Sequence, residues 1–319
     1  MSFMISSEKI VSFIRSRDGL NVTKIEKEAK VPAKTIAKAM VNDTVEIPSK
    51  HLEAIESALL KYGYSDDVAI KKAVTLSVVN HKGGVGKTTT VINLAKALSL
   101  QGLNVLMVDM DSQGNLSQCF NIVSPKDQVI DSLLGGIALP VVQIAENLFL
   151  TPSDIRMAEK ESDLANSIGS EMRLLRRLEP LKKQFDYILI DCPPSLGVLT
   201  NCSLIASDGC IVPIQPEGSA YHGVTNLLTR ISEIREYSNS HLTLKGFVFT
   251  MVDKRIKIHA NMMDYIKKTY KGIHRFETVI TQSAAIKESQ VAKEDLYTYD
   301  AQCVPWKQYV ELAKELVNL

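Results

Sequence analysis

A chain of 319 residues with 45% hydrophobic and 23% charged content suits one large core plus one small domain, and is ordinary for a soluble globular protein. The net charge of +1 excludes a whole-molecule field that attracts nucleic acid, so any such affinity must come from a local basic patch. Cys119, Cys192, Cys202, Cys210 and Cys303 are odd in number and lack C-x-x-C spacing, which argues against a zinc site or disulfide frame and suits a reducing cytoplasm.

No apolar run reaches the ~18–20 residues of a membrane span, and no basic-then-apolar leader opens the chain, so no membrane partner is expected. Internal repeats and low-complexity tracts are absent from the sequence.

Four short amphipathic helices are predicted first. Ser7 to Arg15 ends at Asp18-Gly19, and Asn21 to Ala29 follows. Val31-Pro32 breaks the chain, with Pro32 suited to the first turn of a third helix, Ala33 to Met40. The fourth, His51 to Leu60, stops at Tyr62-Gly63-Tyr64. Short helices joined by tight turns resemble the small repressor-like helix-turn-helix domains. That resemblance implies that helix three presents Lys34, Thr35 and Lys38 to a major groove while Ile36, Ala37 and Met40 face the core. Up to Lys72, twelve Lys and Arg stand against ten Asp and Glu, so a helical docking or dimerisation domain without DNA contact is the alternative. The expected division is a helical domain at 1–65, a polar linker at 66–73 and a second domain at 74–319.

Val74 to Val79 is an apolar, β-branched strand signal, and Thr90 to Leu98 is apolar at helical spacing. Between them runs His81-Lys82-Gly83-Gly84-Val85-Gly86-Lys87-Thr88-Thr89. Strand, glycine-rich turn and helix is the setting in which G-x-x-x-x-G-K-[ST] binds phosphate. Backbone N–H groups close around phosphate oxygens and the helix N-terminus adds partial positive charge. Lys87 would reach the β- and γ-phosphates and the Thr88 hydroxyl would hold Mg²⁺. The second lysine, Lys82, makes the stretch resemble the deviant P-loop of the ParA/MinD family of ATPases. The resemblance implies that Lys82 crosses a dimer interface to the partner's nucleotide, and that Lys82 to Thr89 line the ATP site.

Val105 to Asp109 is a buried strand ending in an acid, followed by Asp111-Ser112-Gln113-Gly114-Asn115. This resembles the family's D-x-D-P-Q-G-N switch with Ser112 for proline, and implies that Asp111 positions the attacking water near the metal. Asn147 to Thr151 is a third strand, and Glu171 to Phe185 a charged helix with a solvated face. Phe185 to Asp191 is another buried strand, placing Asp191 where Mg²⁺ in a P-loop site requires a carboxylate. Cys192 and Cys202 read as small buried apolar residues, and His222 as a helix-start or surface histidine.

Lys245 to Asp253 is a strand without an Asn-Lys-x-Asp guanine clamp, which favours ATP. Lys254 to Lys257 is a basic cluster at a helix start. It is either an ordinary solvated loop or, by the resemblance, a sequence-independent DNA grip through Arg255 and Lys257. Thr281 and Ser283 occupy the proline and asparagine positions of the family's adenine-contacting I-P-R-N stretch. The arginines of that pattern are missing, with Lys287 and Lys293 as the available substitutes.

The expected fold is α/β: a mostly parallel sheet with helices on both faces, preceded by the small all-α domain. The expected function is a partition ATPase using ATP and Mg²⁺, forming a homodimer that binds DNA and answers to a ParB-type partner, cytoplasmic and nucleoid-associated. Three alternatives stay open: a positioning ATPase for another cargo, a repressor whose ATPase domain only dimerises it on an operator, and a MinD-like membrane regulator. The last is disfavoured by an ordinary C-terminal helix, Pro305 to Leu319.

Overall fold

Apolar side chains at helical spacing build α1 (Ser7–Arg15), α2 (Val22–Glu28), α3 (Thr35–Val41) and α4 (Ser49–Leu60). Ile10, Phe13, Ile25, Ile36, Ile55 and Leu59 form their buried core. The computed structural model describes residues 6–15, 17, 20–41, 45–64, 73–218 and 220–319. The chain divides into two compact units, Met1–Lys72 and Ala73–Leu319. The Asp18-Gly19 stop and all of the 66–73 linker except Ala73 lie outside the described residues.

Helix α3 starts later than expected, and Pro32 is not in its first turn. Lys34 adopts a left-handed φ of 66°, which delays the helix to Thr35. The cause sits in α2. The buried Glu26 carboxylate accepts the N–H groups of Lys34 (2.9 Å), Ile36 (2.7 Å) and Ala37 (3.2 Å), satisfying donors that a helix start leaves open. Ile36 and Ala39 are the buried positions of α3, and Ala37 is only half-buried. Lys34 and Lys38 are exposed, whereas the Thr35 hydroxyl turns back to the Pro32 carbonyl at 2.6 Å.

Among its described residues the second unit has eight strands: β1 (Val74–Val78), β2 (Val105–Asp109), β3 (Val142–Ala145), β4 (Leu148–Thr151), β5 (Tyr187–Asp191), β6 (Gly209–Ile214), β7 (Thr243–Val252) and β8 (Arg275–Thr281). They form one sheet in the order β3-β4-β2-β5-β1-β6-β7-β8. The β3–β4 pair is antiparallel, and every other pairing among the described residues is parallel. The helices are α5 (Lys87–Ser99), α6 (Asn115–Gln118), α7 (Val129–Gly135), α8 (Arg156–Ala165), α9 (Arg173–Leu178), α10 (Val198–Ile205), α11 (Ala220–Tyr237), α12 (Lys257–Thr269), α13 (Ala284–Ala292), α14 (Leu296–Asp300) and α15 (Val304–Val317).

Strand alternation sorts the core into two layers. Leu106, Val108, Ile188 and Ile190 pack with Leu199 of α10 and Leu227 of α11 on one face. Met107 and Leu189 pack with Val91 and Leu94 of α5 and Leu312 of α15 on the other. This is the expected mostly parallel sheet covered on both sides.

The charged helix expected over Glu171 to Phe185 is broken. It runs as a 3₁₀ turn (Ser170–Met172), α9 and a second 3₁₀ turn (Leu181–Lys183), because Pro180 cannot continue a helix. Its face is also less solvated than expected, since Arg173 Nη1 donates to the Leu133 carbonyl at 2.7 Å and Lys182 is buried. The register Val78↔Asp191 and Asp109↔Asp191 sets the C-terminal ends of β1, β5 and β2 side by side, at the edge where open α/β sheets hold their ligands.

Candidate active site

The turn after β1 is shaped by its glycines. Gly84 and Gly86 have φ of 73° and 87°, a region L side chains rarely adopt. His81 stands where the general pattern has its first glycine, and its φ is not in that region. Thr90 is the first residue of α5 whose N–H closes a backbone bond within the turn and helix, onto the Gly86 carbonyl at 2.9 Å, so the N–H groups of Lys87, Thr88 and Thr89 form an open helix N-terminus. The turn is fastened from β7, where the buried Thr250 hydroxyl donates to the Val85 carbonyl at 2.8 Å.

Lys87 is buried, and its Nζ donates to the Lys82 carbonyl at 3.2 Å. Burial pushes its ammonium below the usual lysine range, and the carboxylates of Asp191 and Asp111 pull the other way. The Thr88 hydroxyl donates to Asp191 Oδ2 at 2.7 Å. Asp191 is fully buried, and its other oxygen, Oδ1, has no hydrogen-bond partner. Burial, with Asp109 next to it, pushes its carboxyl well above the usual range. A buried carboxylate with one committed and one orphaned oxygen is short of a positive charge, and a divalent cation beside the Thr88 hydroxyl would supply it. These residues therefore fit magnesium, and no cluster of three or more His, Cys, Asp or Glu among the described residues offers a rival metal site.

Asp111 is buried two residues beyond β2, and its Oδ1 accepts the Gln113 N–H at 3.0 Å. Asp109 has a different task. It accepts from Asp111 N (3.2 Å), Ser117 N (2.9 Å) and Ser117 Oγ (2.6 Å), which ties the switch loop to α6, and burial pushes it up to about 7. Gly114 closes the loop with a φ of 61°, and a Cβ there would lie 2.8 Å from the Ser153 backbone oxygen. Gly114→Ala is expected to destabilise the protein by roughly 1–3 kcal/mol in denaturant unfolding; a midpoint equal to the parent's would show that the loop yields freely.

The remaining predicted residues spread further. Gly83 is exposed, and Val85 is buried beneath the turn. The Thr89 side chain faces away from the cradle, because its hydroxyl accepts from Gln290 Nε2 of α13 at 3.0 Å; only its backbone N–H remains for a phosphate. Thr281 binds Gln308 of α15 through both N and Oγ1, and Ser283 caps α13 by accepting the Ala285 N–H. Arg255 is exposed but pairs with Asp253 at 2.7 Å, and its guanidinium pulls that carboxyl down to about 2. Lys257, at the first turn of α12, and Lys287, on α13, are exposed. Cys192 and Cys202 are buried, and burial pushes both thiols up to about 12.

Sequence reasoning missed Glu217, which holds Lys82, and Thr250, which holds the turn. It also missed Glu161 of α8, whose carboxyl is pushed up by burial and by nearby Asp111. All three act on residues far apart in the chain, and no local pattern marks them.

Residues 73–244 match the family described as AAA domain. The sporulation initiation inhibitor protein Soj of Bacillus subtilis strain 168 is 35% identical over 246 residues, covering 76% of this chain and 97% of that protein. The chromosome-partitioning ATPase Soj of Treponema pallidum is 36% identical over 248 residues, covering 76% and 96%. Among solved structures, cobyrinic acid a,c-diamide synthase of Mycobacterium smegmatis, with bound ATP analog and magnesium, superposes with a TM-score of 0.67 at 33% identity over 77% of this chain and 95% of that one. Sharing more than a third of its aligned residues with two Soj proteins along nearly their whole length, the chain belongs to their family, the ParA-type partition ATPases.

Proposed function

We propose that this chain is the ATP-driven, DNA-binding switch of a plasmid or chromosome partition system, working as a homodimer whose hydrolysis a ParB-type partner stimulates. The observation that supports this most is the orphaned Asp191 Oδ1 beside the Thr88 hydroxyl, at the foot of a glycine turn with two lysines. Thr88 and Asp191, with Asp111 near, would hold Mg²⁺, which when bound neutralises phosphate charge. Gly83 to Thr89 offer backbone N–H groups to the phosphates. Lys87 replaces its bond to the Lys82 carbonyl with one to a phosphate oxygen. Asp111 orients the attacking water, and Lys82 reaches the nucleotide of the opposite subunit. Backbone around Thr281 and Ser283 borders the adenine.

DNA binding is assigned to Arg255, Lys257 and Lys287, all exposed. Contacts of this kind read phosphate and not sequence, so affinity falls with salt. A second reading concerns the N-terminal unit, where exposed Lys34 and Lys38 flank the start of α3 and favour operator binding and autorepression; Thr35 supports its own backbone instead. The test is DNA binding with ATP, ADP and no nucleotide across a salt series. Binding is expected with ATP alone, and Arg255→Ala is expected to flatten the logarithmic salt slope by about 1. Equal binding in all three nucleotide states contradicts the switch, and an unchanged slope removes Arg255 from the surface. Loss of operator footprinting on deleting residues 1–72, with ATP-dependent binding retained, separates the two DNA activities.

A further inference from the structure

Lys82 is not waiting free for a partner. Its Nζ lies 2.7 Å from Glu217 Oε2, on the loop between β6 and α11, with the two side chains 28% and 45% exposed. Glu217 is itself held in place. Gln215 Nε2 donates to its Oε1 at 2.7 Å, and the Glu217 N–H donates to the Gln215 carbonyl at 2.8 Å. The backbone beneath is fixed as well, since Lys82 N donates to Asn80 Oδ1 at 3.0 Å and Asn80 Nδ2 donates to the Pro213 carbonyl at 2.7 Å. Helix α11 runs close to this turn: a Cβ on Gly223 would lie 3.9 Å from Lys82 Cβ and 3.7 Å from Asn80 Oδ1.

We infer that Glu217 is a positioning residue for Lys82, a receptacle within the same chain that holds the lysine until a partner's triphosphate takes it over. The inference rests on the role across the interface proposed above for Lys82. The exchange is between anions. One carboxylate, oriented by Gln215, holds the ammonium in the single chain, and the more highly charged oxygens of a triphosphate displace it. A diphosphate lacks the terminal group nearest the interface and competes less well. Glu217 thereby raises the threshold for dimerisation, and only an anion stronger than its carboxylate crosses it. It also ties the β6–α11 loop to the event, since that loop loses its cation when the dimer forms.

The test is sedimentation of the full chain over a concentration series with Mg-ATP and with Mg-ADP. Glu217→Gln keeps the shape and removes the charge, Glu217→Ala removes the contact, and Glu217→Asp keeps the charge. Two such pairs open per dimer, each worth up to about fivefold in an equilibrium constant, so Glu217→Gln and Glu217→Ala are expected to dimerise with ATP at roughly three- to thirtyfold lower concentration than the parent. The ADP forms shift in the same direction by no more than the ATP forms, and Glu217→Asp stays nearer the parent. A residue that merely supported the fold would give weaker dimers or no change. A parent that dimerises with ATP while Glu217→Gln matches it, or dimerises less readily, overturns the receptacle and leaves the lysine's role intact. A parent that stays monomeric at saturating ATP and magnesium overturns both.

Discussion

Lys87→Ala is expected to abolish measurable nucleotide binding. The ammonium is buried, has a backbone carbonyl as its hydrogen-bond partner, and feels the carboxylates of Asp191 and Asp111. Such a cation is poised to exchange a neutral carbonyl for an anionic phosphate oxygen, and the gain is large because the site is shielded from water. Truncating one member of a buried charged pair costs about 3–5 kcal/mol, which corresponds to a loss of roughly 10²–10⁴-fold in affinity. Titration calorimetry with Mg-ATP measures it directly. Thermal unfolding without nucleotide, run alongside, separates lost binding from a lost fold, since the alanine variant also leaves Asp191 without its nearest cation. Binding within about fivefold of the parent, from a variant that melts like the parent, removes Lys87 from the phosphate site.

Asp111→Ala is expected to separate binding from hydrolysis. The carboxylate takes no part in the glycine turn, and the loop that carries it is tied independently by Asp109 and Gly114. The variant should therefore keep the fold, bind Mg-ATP and dimerise. Losing the group that orients the water lowers turnover by about 10²–10⁴-fold. The predicted product is an ATP-bound dimer that persists on DNA and does not release when a partner is added. Single-turnover hydrolysis with labelled ATP reads the chemical step, and a rate equal to the parent's assigns the water to another group.

The site is legible in the sequence wherever local pattern and chemistry coincide. Buried parallel strands read as continuous apolar runs, so the amino-acid order alone locates β1, β2 and β5 and the acids that end β2 and β5. The glycine turn is legible because positive φ and an open helix start demand particular residues in order. Edge strand β3 is not, since its half-exposed sequence carries no such run. The true start of α3 depends on Glu26 from another helix, and the direction of Thr89 on Gln290 of α13. Glu217 shows the same limit at the functional centre: its bond to Lys82 spans 135 residues, and nothing in either local stretch announces the other.

In the proposed dimer each complete site is built from two chains, with Lys87 and Asp111 from one and Lys82 from the other. Mixing two inactive variants tests it. Lys82→Ala retains Lys87 and Asp111 but has no lysine to donate, whereas Asp111→Ala donates its lysine but cannot orient water. A mixed dimer contains one site with all three groups, so equal amounts combined with Mg-ATP are predicted to hydrolyse ATP although neither variant does so alone. A mixture as inactive as its parts, under conditions where mixed dimers are shown to form, contradicts the shared site.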